Sequence, residues 1–116
     1  MNLLLVLNHA PYDGTDVAWN ALRLADTALG EGLDVRLFLM NDAVDLARPA
    51  SRPAASEFDL TAMLGDIIGK GAAVRLCKTC LTRCGIGGGD TIKGAQVAGM
   101  EDLVVWITAS DKVLTF

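Results

Sequence analysis

The chain is poor in aromatic residues, at 5% of its 116 positions, so its core must be built from aliphatic side chains. It has one histidine, which leaves little room for a histidine-rich metal centre. Positive charge is scarce as well: 10 Lys and Arg face 14 Asp and Glu, for a net charge of −4. A nucleic-acid binder carries a basic footprint, and none is present here, so no nucleic acid is expected as a partner. Long apolar runs are missing too. Leu3 to Leu7 is too short for a membrane span or a signal core, no basic segment precedes it, and turn-forming residues follow at once. No membrane association is expected, and a cytoplasmic location is.

What is present is a hydrophobic content of 52% with 21% charge, the balance of a folded domain rather than a disordered one. A chain of this length fits a single domain over 1–116 with its own core. No internal repeat or linker divides it.

Apolar runs at Leu3–Leu7, Val35–Leu39 and Ala72–Leu76 have the length of buried strands. Shorter ones fall at Gln96–Ala98 and Val113–Phe116. Between them, apolar residues recur at helical spacing. Ala18, Ala21, Leu22, Ala25, Ala28 and Leu29 mark a helix that opens near Thr15 and ends at Gly30 and Gly32. Leu60, Met63, Leu64, Ile67 and Ile68 mark another, capped by Asp59 and stopped by Gly71. Asn41 to Leu46 reads as a short helix, Arg48 to Phe58 as a surface loop, Thr79 to Arg83 as one or two helical turns, and Met100 to Ile107 as the last helix.

Strands alternating with helices imply right-handed crossovers and a parallel sheet. The expected fold is α/β and flavodoxin-like: five parallel strands, helices on both faces, strand order 2-1-3-4-5. That order makes strands 1 and 3 neighbours. It delivers Asn8–Asp13 and the segment starting at Cys77 to one crevice at the carboxyl ends of the strands.

Cys77, Cys80 and Cys84 crowd into eight residues directly after the third strand. An odd, local set argues against a structural disulfide framework. Cys77, at a strand end and next to a helix start, with Arg75, Lys78 and Arg83 nearby, is placed for a depressed thiol pKa and nucleophilic chemistry. His9 is expected in the same crevice, able to lower that pKa or shuttle a proton. Three other readings stay open: small buried hydrophobes in a non-catalytic oligomeric protein, a zinc or ligand site made by the cysteines with His9, and a Cys77–Cys80 redox pair. Gly14-Thr15-Asp16 and Gly87-Gly88-Gly89 match neither a nucleotide P-loop nor a dinucleotide fingerprint, and no cofactor is expected.

The run Cys77-Lys-Thr-Cys80-Leu-Thr-Arg-Cys84-Gly85 after a strand resembles the DsrE/DsrF-like (YchN-like) family. So do the first strand with its Gly-Thr-Asp helix opening, the Asn41-Asp-Ala-Val segment after the second strand, and the run from Gly99 to Phe116. In that family a cysteine about eight residues before a glycine carries a persulfide in the sulfur-relay members. Cys77 holds that position relative to Gly85, and Cys80 matches a second cysteine found in some members. Cys84 departs from the pattern, with Arg83 displaced by one. The resemblance implies a sulfur carrier or sulfurtransferase, assembly as a homo-oligomer (trimer or hexamer), and a sulfur donor or acceptor protein as partner.

Overall fold

The structure, a computed structural model, describes residues 1–116. Five strands form one wholly parallel sheet: β1 (Asn2–Leu7), β2 (Asp34–Leu39), β3 (Ala73–Cys77), β4 (Ala95–Ala98) and β5 (Lys112–Thr115). The helices between them are α1 (Val17–Gly30), α2 (Leu60–Gly69), α3 (Lys78–Cys84) and α4 (Met100–Ala109). A 3-10 helix over Asn41–Ala47 follows β2.

The α/β class and the all-parallel five-stranded sheet agree with the sequence reading, but the strand order does not. The order is β4-β3-β2-β1-β5, so β2 separates β1 from β3, which were expected side by side. The apolar runs report that a strand is covered on both faces; they do not report which strand lies next to it. β1 and β2 are almost equally buried, and either reads as a central strand. The chain takes three steps in one direction, β1 to β4, and then crosses back to place β5 on the free edge of β1. Right-handed crossovers therefore put α1 and α2 on one face and α4 on the other.

Phe38 of β2 pairs in register with Arg75 of β3, which puts both on the α4 face. There Trp106 of α4 meets the Phe38 ring edge-on at 6.4 Å between centroids. The core is aliphatic, as the composition requires: Leu4, Leu5, Leu37, Leu39, Leu64 and Leu76 are fully buried. Helix signals in the sequence are honoured at α2, where Asp59 Oδ1 accepts the Ala62 N–H at 3.0 Å. The 3-10 helix buries Ala43, Val44, Leu46 and Ala47 completely and packs against β2, β3, α2 and α3. It thereby fixes the ends of β2 and β3 relative to the cysteine segment.

Candidate functional site

At the carboxyl edge of the sheet, Asn8 lies one residue past β1, Asn41 lies two past β2, and Cys77 ends β3. Asn8 follows β1. It is anchored by its backbone N–H and its Nδ2, both donating to the Phe116 carbonyl, at 2.9 and 3.2 Å. Phe116 in turn donates its N–H to Val6 O at 2.8 Å. The Asn8 Oδ1 accepts Nδ2 of Asn41 at 2.8 Å.

Asn41 has φ of 52°, the one non-glycine residue in the left-handed region. Asparagine tolerates that backbone better than most residues. In this pose its N–H points across to α3 and donates to Cys80 Sγ at 3.1 Å. A chain of hydrogen bonds therefore runs from Phe116 through Asn8 and Asn41 to one thiol.

The three cysteines are all free, and the structure grades them: Cys77 is buried, Cys80 half-buried and Cys84 exposed. Cys77 is the residue preceding α3, and Cys80 is the third residue of that helix. A side chain at the first of these positions faces the third helical residue. Cys77 is only 2% exposed, which corrects the expectation of an open, acidified nucleophile. Burial pushes its thiol pKa up. The N–H groups of Cys80 and Thr79 act against that rise, while the adjacent Cys80 thiol adds to it. The helix expected to help the thiolate has only seven residues, and Gly85, at φ 69°, closes it.

Two of the three cationic neighbours expected around Cys77, Arg75 and Arg83, are engaged elsewhere. Arg75 lies over the Trp106 ring at 4.3 Å. Arg83 reaches Asp42 Oδ1 at 3.3 Å, and that contact, with smaller contributions from Cys84 and Cys80, raises its pKa.

His9 does not join the thiols. Its imidazole is exposed, with Nδ1 3.8 Å from Asp13 Oδ2. Asp13 is held below the usual carboxylate range chiefly by the Thr15 hydroxyl and N–H, with a smaller contribution from His9. The proposed gathering of three cysteines and His9 around zinc is likewise absent: no three His, Cys, Asp or Glu side chains come together in a metal-binding arrangement. Cys77 is buried while Cys84 is exposed, and the exposed His9 lies beside Asp13.

Cys84 opens onto a cleft of about 650 Å³. Asp42, Asp45, Arg48, Gly85, Ile86 and Asp90 line it with Cys84. Arg48 is tied to Asp45 at 2.6 Å, which leaves the cleft acidic overall.

These features match known proteins over the entire chain. The sequence fits the DsrE/DsrF-like family across residues 1–116. This protein belongs to the DsrE/DsrF-like family. Its relatives include the protein YchN of Escherichia coli K12, 38% identical over 117 residues that cover 98% of this chain and 97% of YchN. An uncharacterized protein of Methanocaldococcus jannaschii is 37% identical over the full length of both chains. The crystal structure of the E. coli YchN protein superimposes with a TM-score of 0.91 at 36% identity, covering 100% of this chain and 99% of the other. A Methanobacterium thermoautotrophicum protein of unknown function shares the fold at a TM-score of 0.78 and 15% identity.

Sequence reasoning did not single out Asn8 and Asn41, whose hydrogen bonds reach Cys80. Their signal was positional: each lies within two residues of the end of a buried strand, on the edge where Cys77 also emerges.

Proposed function

We propose that this DsrE/DsrF-like protein is a sulfur carrier that holds sulfane sulfur as a persulfide at the Cys77–Cys80 pair. The observation that carries the reading is the Asn41 N–H aimed at Cys80 Sγ beside a shielded Cys77. A persulfide needs a thiol nucleophile to accept sulfur and a protected place to keep it. A donor directed at a thiol sulfur favours negative charge there, and such hydrogen bonds to charged groups are the stronger kind. Three free thiols suit a reducing, cytoplasmic setting, and no helix is long and apolar enough to cross a membrane.

The partners in this reading are a persulfide-bearing donor protein and a thiol acceptor protein. Self-assembly into a trimer or hexamer is part of the same proposal. It is supported by the apolar side chains that α4 leaves exposed, among them Met100, Val104, Val105 and Ile107. Incubation with a persulfide donor, followed by intact-mass analysis, tests the function. Wild type is expected to gain the mass of a sulfur atom, reversibly removed by dithiothreitol. A chain with both Cys77 and Cys80 replaced by serine is expected to gain none at those positions. Failure of wild type to take up sulfur would end the proposal.

A further inference from the structure

Resting on the sulfur-carrier reading, we infer that Cys80 is the port through which sulfur enters and leaves, with Cys77 as the inner store. The Asn41 N–H is then the group that drives sulfur inward. Two independent observations lead there. Cys77, the cysteine the family pattern selects, is 2% exposed, so a protein or peptide donor cannot reach its sulfur directly. Cys80 is half-buried, lies beside Cys77, and receives the Asn41 backbone N–H, from 39 residues away in the sequence, at 3.1 Å.

The chemistry balances without an added oxidant. In the first step the Cys80 thiolate attacks the outer sulfur of a donor persulfide, RSSH. A bond forms from Cys80 Sγ to that sulfur, the donor S–S bond breaks, and the donor leaves as a thiolate that takes up a proton. In the second step the Cys77 thiolate attacks the sulfane sulfur now on Cys80. The new S–S bond is to Cys77, the Cys80 bond breaks, and the electron pair returns to Cys80 Sγ. The proton released by Cys77 balances the charge regained at Cys80. The exchange is degenerate in chemistry, so environment decides where the sulfur rests. Asn41 stabilises Cys80 as the leaving thiolate, which favours sulfur on Cys77. Delivery is the same path reversed, drawn by an acceptor thiol arriving at Cys80.

Asn41 acts here as a positioning residue through its backbone. The group that holds it is the Asn8 side chain, 2.8 Å from Asn41 Nδ2. Asn8 is itself fixed by Phe116, so the clamp is rigid on the strand side.

The test uses the full chain carrying Cys84→Ser, which removes the exposed thiol, with glutathione persulfide as donor. Uptake is followed by intact mass and located by peptide mapping. The parent is expected to hold one sulfur, on Cys77. Cys77→Ser is expected to load Cys80 and keep the sulfur there. Cys80→Ser is expected to load at least about tenfold more slowly, while a small donor, inorganic polysulfide, closes part of that gap. Asn8→Ala is expected to move resident sulfur from Cys77 toward Cys80 by about tenfold, the scale of one hydrogen bond to a charged group. Circular dichroism of each variant separates a lost fold from a lost route. If Cys80→Ser loads Cys77 from glutathione persulfide at the parent rate, the port is refuted and the sulfur carrier stands. An unchanged sulfur distribution in Asn8→Ala would remove Asn41 from the inference. No uptake by the parent at all defeats the carrier reading itself.

Discussion

The Arg75 guanidinium lies 4.3 Å from the centroid of the Trp106 ring, with Arg36 on the same ring at 5.7 Å. Together with Phe38 these side chains leave Trp106 only 7% exposed. Trp106 is therefore core within one chain. Trp19 is half-buried and likewise engaged, 5.3 Å from the Phe58 ring with Arg23 at 4.5 Å.

Trp106→Ala is expected to cost about 3–5 kcal/mol, because it removes a buried aromatic side chain and leaves a cavity over β2. Arg75→Ala is expected to cost about 1 kcal/mol, the scale of one cation–π contact. Urea denaturation monitored by circular dichroism measures both. Equal losses in the two variants would contradict this assignment.

Thiol reactivity should follow exposure. In the native protein at neutral pH, alkylation by iodoacetamide is expected fastest at Cys84, slower at Cys80 and slowest at Cys77, whose pKa burial has raised. This reverses the order that sequence position alone suggests. Time-resolved peptide mapping reads the order directly, and preferential labelling of Cys77 would overturn it.

The raised Cys77 pKa also fixes a pH dependence. A free thiol with an ordinary value of 9.0 ionises more readily in the unfolded chain than in the folded one. The Cys77 contribution to stability is therefore complete below that value and is lost as pH rises through the higher folded pKa. Comparing urea midpoints at about pH 7 and about pH 10, wild type is expected to lose more stability than Cys77→Ser. The opposite sign would mean that the thiolate, not the thiol, is favoured in the fold.

Assembly is expected to use the outer face of α4. Val104 is 58% exposed and Val105 61%, values that are costly for a free surface when clustered with Met100 and Ile107. Val104→Glu with Val105→Glu is expected to yield monomers by light scattering while the wild type remains oligomeric. A monomeric wild type would contradict the assembly directly.

Asp59 provides a local check on the fold. Loss of its bond to the Ala62 N–H in Asp59→Ala is expected to destabilise the protein by about 1 kcal/mol, measurable by thermal or urea unfolding.

The sequence by itself determined the class of this protein, its element boundaries to within a residue or two in most places, and its family. Those depend on local quantities: Leu3–Leu7 reads as a buried strand wherever it lies in a sheet, Asp59 caps whatever helix follows it, and the Cys77-to-Gly85 run is contiguous. Tertiary structure decided the strand order, the depth of each cysteine and the partners of the charged side chains. β2 came to lie between β1 and β3 because periodicity carries burial but no identity of neighbours. Cys77 became buried, with its pKa raised, because helix, strand and 3-10 segment converge over it. Arg75 went to Trp106, Arg83 to Asp42 and His9 to Asp13, each away from the thiol that chain proximity or the expected strand order had assigned it. The Asn41 N–H reached Cys80 from 39 residues away, a contact that no local pattern encodes.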